Sequence, residues 1–231
     1  MDWSHFFTLL LSTDVPRLPD LDVLRWARRL SWGVVLMGLW LLLARRWPRW
    51  IQLSGVVLAL VSVLLPGPWS PSFWLGLAFQ SPSVMTAVLL LWLSLGLFFP
   101  RAFKRPEAVQ MQALWRLGLG GVVLGWVLLL DTFALWPFSL YAFGFSPAAV
   151  LAVALCAVAP WVIGPVKTTW GVPLVLLGGV LWVHVVLRLP SGNVWDALLD
   201  PLLWAALQVA WLARGLRGLS VARRGQSTTR A

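Results

Sequence analysis

The chain predicts an all-α fold, a polytopic transmembrane bundle of about seven spans, and three observations carry that reading. The first is composition: 60% of the 231 residues are hydrophobic and 11% are charged, with a mean hydropathy of +0.83, whereas a water-soluble domain is about a quarter charged. The second is segmentation into apolar runs separated by short polar stretches, at a scale near the roughly 20 residues that cross a hydrocarbon core of about 30 Å. The third is charge alternation, since the basic residues fall in every second connection.

Seven runs can be marked: Leu21 to Ala44, Ile51 to Leu65, Pro82 to Phe99, Ala113 to Leu130, Pro147 to Gly164, Trp170 to Leu187 and Pro201 to Ala213. Several fall short of a full span, and flanking Trp and Arg extend them because an Arg stem lies in hydrocarbon while its head reaches the interface. Domain organisation follows: an outer N-terminal segment 1–20, a transmembrane domain 21–213 and a basic cytoplasmic tail 214–231, polar enough to read as disordered. The apolar stretch Phe6 to Leu11, preceded by Asp2, is too short and wrongly charged for a cleavable signal.

One set of connections holds Arg45, Arg46 and Arg49, then Arg101, Lys104, Arg105, Glu107 and Arg116, then Lys167, then Arg214, Arg217, Arg223, Arg224 and Arg230. The opposite set holds a neutral N-terminal region, an uncharged loop 66–81, Asp131, and Arg188 with Asp196 and Asp200. This asymmetry predicts an N-terminus outside and a C-terminus inside, and the excess of Arg over Lys with abundant Ala, Leu, Gly and Trp reads as a GC-rich bacterial gene, hence a bacterial cytoplasmic membrane. Because Arg25, Arg28 and Arg29 burden the outer end of the first run, a six-span layout with that segment along the interface is the alternative. The formal charge of +10 is thereby explained by topology and does not call for nucleic acid. The basic tail instead attracts anionic lipid, at about 1 kcal/mol per Arg.

The three outer connections share a plan. Ser81-Pro82, Ser146-Pro147 and Asp200-Pro201 each place an N-cap before a proline at the first turn of an inward-running helix. This suggests three hairpins, spans 2 with 3, 4 with 5 and 6 with 7, and leaves span 1 as an extra element. Among the 18 tryptophans, Trp47, Trp50, Trp115 and Trp170 fall near inner boundaries and Trp69, Trp74, Trp136 and Trp195 near outer ones, as interfacial belts require. Trp32, Trp40, Trp92, Trp126 and Trp182 lie deeper, where each indole N–H needs a partner or a helix contact.

Chemistry is sought first among ionisable residues within or beside the spans, because a charge at a helix centre costs about 2.5 to 3.5 kcal/mol on insertion scales. Asp131 ends span 4, where a carboxylate opposes the helix dipole and wants a partner. Arg188 is the expected one, with His184 one turn before it, so that Asp131, His184, Arg188 and Asp196 form an outer cluster; the alternative is that each reaches water by itself. Gln208 continues a stripe from Asp200 through Trp204, with Trp211 nearby, that would line a path or pack between helices. Asp196 and Asp200 stand four apart and offer two carboxylates to a metal, fewer than a lipid-processing metal site uses, and Asp200 is accounted for by capping. Gly121 and Gly125, Ala148 and Ala152, and Ala206 and Ala210 are small pairs that let helices approach. The lone Cys156 forms no intrachain disulfide, and His5 with His184 are too few for a multi-haem cytochrome.

No nucleophile elbow, phosphate loop, zinc-binding His pair or Cys pair occurs. No cofactor is therefore expected. The functional expectation is a non-enzymatic accessory, assembly or scaffold component whose partners are the bilayer and other membrane subunits. A small-solute permease with a polar site near the outer leaflet is the alternative, and a membrane enzyme acting on a lipid-linked substrate comes third.

Overall fold

A computed structural model describes residues 8, 11–13, 18–101, 103, 106–135, 137–163 and 171–228, with side-chain surroundings for all of these except 161, 163 and 218–228. Most of the N-terminal segment, Lys104, Arg105, Trp136, Lys167, Trp170 and Arg230 lie outside the described residues, as do the side chains of Arg223 and Arg224. The described residues are all helical in their regular structure: α1 Leu21–Leu43, α2 Arg49–Ser62, α3 Pro71–Phe79, α4 Val84–Phe98, α5 Ala108–Thr132, α6 Leu140–Phe143, α7 Pro147–Ile163, α8 Gly171–Leu187, α9 Val194–Leu198 and α10 Pro201–Thr228, with a 3-10 turn at Gly67–Trp69.

Among the described residues only α1 and α5 are both long and apolar enough to cross a membrane, whereas α2, α4, α7 and α8 are apolar but have 14 to 17 residues. A bundle of seven full-length spans is thus not confirmed. The reason lies in the caps. The run beginning at Pro82 starts its helix at Val84, because the Ser83 hydroxyl, not Ser81, accepts the Thr86 N–H at 3.1 Å. The run ending at Leu65 stops its helix at Ser62, shortly before Pro66. At the other end of the chain, α10 continues through Thr228, past Ala213, where the composition had suggested loose chain from residue 214.

The three connections contain helices of their own. Ser70 caps α3, Ser139 caps α6 and Asn193 caps α9, each by accepting a backbone N–H of the first turn. Each short helix is followed by a second cap, Ser83, Ser146 or Asp200, and then by a long helix. The shared plan is therefore cap, short helix, cap, long helix, one step richer than the dipeptides alone suggest.

Packing departs from the hairpin scheme. The main contacts join α1 to α2 and α4, α4 to α8, α7 to α8, and α5 to α10; the expected partners α2 with α4, α5 with α7, and α8 with α10 are not among them. Helix α1 is the hub, not an extra element. It buries Trp32, Gly33, Val35, Met37, Gly38 and Leu41 along its length, and it runs from Arg28, beside the short helices, to Ala44, whose carbonyl accepts from Gln52 at 3.1 Å. That path runs along the bundle.

Two glycines show how helices approach. A Cβ on Gly55 would lie 2.0 Å from the Trp40 indole nitrogen, and one on Gly125 would lie 2.3 Å from that of Trp204. With no side chain in the way, Trp40 donates to the Gln52 carbonyl at 3.2 Å and Trp204 to that of Val122 at 3.1 Å. Each indole thus finds its acceptor on the neighbouring helix. Among the deeper tryptophans, Trp126 also stacks edge-on against Trp204 at 5.2 Å, while Trp182 is exposed.

Candidate functional site

The three cap-bearing connections meet at one end of the bundle, which we call the capped end; the turns with Arg45, Arg46, Arg49 and Arg101 form the arginine end. Between the connections lies a cavity of about 660 Å³, and every connection contributes to its wall: Gln80 and Ser81 from the first, Tyr141 from the second, Ser191, Asp196 and Asp200 from the third. Helix α1 adds Leu24, Arg28 and Trp32.

Asp200 builds the first junction. Its Oδ1 accepts the Leu203 N–H at 2.8 Å and so caps α10, while its Oδ2 accepts the Ser83 N–H at 2.8 Å and the Thr86 hydroxyl. One carboxylate thereby fixes two helix starts from segments 117 residues apart. Asn193 builds the second junction: fully buried, it accepts the Trp195 N–H at 2.9 Å and donates to the Tyr141 carbonyl at 2.9 Å. The Trp195 indole donates to the Leu140 carbonyl at 2.9 Å, and Gly144 leaves room for both side chains. Trp32 makes the third, donating at 2.9 Å to the carbonyl of Gln80, which sits at φ +63°.

The polar residues anticipated from sequence fall into separate places. Asp131 finds its partner in backbone: its carboxylate accepts the N–H groups of Leu140 at 3.1 Å and Tyr141 at 2.7 Å, at the start of α6. The unfavourable end of one helix is answered by the favourable end of the next. No hydrogen bond or ion pair joins Asp131 to Arg188 among the described residues. Arg188 is half-buried at φ +56° after α8, its carbonyl accepting from Gly192 at 2.7 Å. His184 is fully buried, with Nδ1 donating to the Leu189 carbonyl at 3.2 Å and Nε2 without a partner among the described residues. Gln208 is half-buried, and its stripe companions Trp204 and Trp211 pack on α5 rather than along a path.

Asp196 is the member of that set that reaches the cavity. Its Oδ2 accepts the Tyr141 hydroxyl at 2.8 Å and the Ser191 hydroxyl; its Oδ1 has no partner among the described residues. Burial, together with the bond to Asp196 and its charge, holds the Tyr141 phenol well above its ordinary range. Asp200 lies on the same cavity, but the helix that would align it with Asp196 ends at Leu198 and Leu199 is extended. No group of three His, Cys, Asp or Glu suited to a metal occurs among the described residues.

Arg28 is the element sequence reading did not select. Its stem packs under Gly76, where a Cβ would lie 3.1 Å from Cδ, and its guanidinium forms no ion pair among the described residues. An arginine in the first span with no acid one turn away was the available signal. The chain matches no protein-family model, no curated protein and no solved structure.

Proposed function

We propose that the chain is a seven-segment integral protein of a bacterial cytoplasmic membrane, with its capped end outside, acting as a non-enzymatic accessory, assembly or scaffold component of a membrane complex. The observation that carries the reading is α5: it is 25 residues long and apolar, yet only 6% of its most apolar stretch is buried within the chain. A core helix of a water-soluble protein would hide that surface. Helix α2 buries no residue at all, although it too is apolar.

Exposed Trp47 and Trp50 at the arginine end and exposed Trp69 and Trp74 at the capped end stand where interfacial belts belong. The short helices α3, α6 and α9, stacked at the ends of the 14- to 17-residue helices, complete the depth of the bilayer and satisfy their own backbone there. A non-enzymatic role fits the chemistry, because Asp131, Asn193 and Asp200 spend their polar atoms on backbone N–H and C=O groups. The second reading, a permease, draws on the cavity with Arg28 and Asp196.

Alkaline carbonate extraction combined with reporter fusions tests the membrane reading. The expected result is retention in the membrane pellet, a cytoplasmic reporter signal after residue 217, and a periplasmic signal within 66–81. Release into the aqueous fraction, or both signals on one side, would overturn it. Detergent extraction with mass measurement separates the roles: a fixed stoichiometry with a second membrane subunit supports the component, and a monomer that drives solute flux in vesicles supports the permease.

A further inference from the structure

We propose that the capped end holds one phospholipid whose headgroup carries a primary ammonium, with phosphate on Arg28, ammonium on Asp196 and an acyl chain along the groove between α1 and α8. This rests on the membrane reading above. Two neighbouring spaces carry it. The polar cavity of about 660 Å³ contains Arg28 and Asp196. An apolar groove of about 580 Å³ is lined by Trp26, Ala27, Leu30, Ala87, Val183 and Leu187. A small void of about 20 Å³ lies between them, sharing Arg28, Ser81 and Pro190 with the cavity and Ala27, Val84 and Leu189 with the groove. A polar chamber beside a lateral apolar slot has the form of an amphiphile.

Charge selects the headgroup. The Arg28 guanidinium has no carboxylate partner among the described residues, and a phosphate is the group its planar fork matches. Asp196 keeps Oδ1 open while Tyr141 and Ser191 orient Oδ2. The second carboxylate, Asp200, is occupied by Ser83, Thr86 and Leu203. With two carboxylates and one guanidinium, the chamber suits a zwitterion that donates to Asp196 better than a headgroup that only adds negative charge. A primary ammonium donates N–H; a quaternary one does not.

The test uses the full chain in nanodiscs, followed by native mass measurement of retained lipid with phosphatidylethanolamine, phosphatidylcholine or phosphatidylglycerol supplied. We expect phosphatidylethanolamine to be retained at least about tenfold over the others, a difference of about 1.4 kcal/mol. Arg28→Gln should abolish retention and Arg28→Lys should restore most of it. Asp196→Asn should erase the preference for phosphatidylethanolamine over phosphatidylcholine, and Ala87→Phe, which fills the groove, should expel the lipid. Soluble glycerophosphoethanolamine separates the sources: weak competition supports a lipid, and competition equal to the lipid's overturns it in favour of a free phosphate ester. Equal retention of all three lipids, or retention indifferent to Arg28→Gln, overturns the site. If Arg28→Gln does not yield monodisperse helical protein, Arg28→Lys and Asp196→Asn decide. A chain that inserts with the expected topology yet shows no headgroup preference sinks this site alone, whereas a chain that does not insert sinks the membrane reading.

Discussion

The two ends of the bundle use polar residues in opposite ways. At the capped end Asp131, Asn193 and Asp200 point at backbone groups of other helices: Asp131 closes its own connection onto Tyr141, and Asn193 and Asp200 join connections that are far apart in sequence. At the arginine end Arg45 and Arg46 are exposed and form no ion pair among the described residues, and the cross-segment bonds are fewer: Arg49 donates to the Phe98 carbonyl at 3.3 Å, and Gln52 donates to Ala44 and Trp47. Polar content alone therefore does not say what a polar residue does. A short side chain near a helix start is a structural joint, and a long cation on a turn stands free of such joints; in the membrane reading proposed above it sets topology.

The contrast can be broken most directly at Asp200. Asp200→Ala leaves the Ser83 N–H, the Thr86 hydroxyl and the Leu203 N–H without their acceptor, and should cost about 3 kcal/mol in reversible unfolding from mixed micelles. If the loss is below about 0.5 kcal/mol, the capped end is not held as described. Asn193→Ala removes a buried cap and the bond to Tyr141, and the same measurement should show about 2 kcal/mol. A third test sharpens the contrast through pH. Tyr141 is the only tyrosine in the chain, so alkaline absorbance titration reports it alone. Its folded midpoint should lie above the ordinary 10.0 and return there on unfolding. Because the folded state holds the proton more tightly, the linked stability is present below pH about 10 and is lost as pH rises beyond it. Asp196→Asn should lower the folded midpoint, and an unchanged midpoint would remove Asp196 as a cause. The smallest effect belongs to the other end, where Arg45→Gln with Arg46→Gln should change stability by less than about 0.5 kcal/mol while weakening the topological bias seen with reporter fusions.

What could be read from the chain was the local chemistry. Ser146-Pro147 and Asp200-Pro201 announce helix starts because a short acceptor before a proline has few other uses, and both act as caps here. The shift from Ser81 to Ser83 was hidden because two serines flank one proline and only the tertiary fold chooses between them. Packing order was not readable, since any apolar helix is compatible with any other until side chains are interlocked; hence α1 looked peripheral and proved central. Asp131 misled for a related reason. Its need for a partner was plain, but a backbone N–H pair leaves no trace in composition, whereas Arg188 was conspicuous.

The junctions at Asn193 and Asp200 also set an order of events. Both lie late in the chain, and what they clasp, Tyr141 and the segment from Ser83 to Thr86, is synthesised well before them. During synthesis the earlier connections emerge with their partners still missing, and they close into a chamber only when the segment bearing Asn193 and Asp200 docks. A ribosome-stalled intermediate ending before residue 193 would hold most of the helices and none of the clasp. The arrival of residues 193–200 is thereby registered as the closing of a pocket.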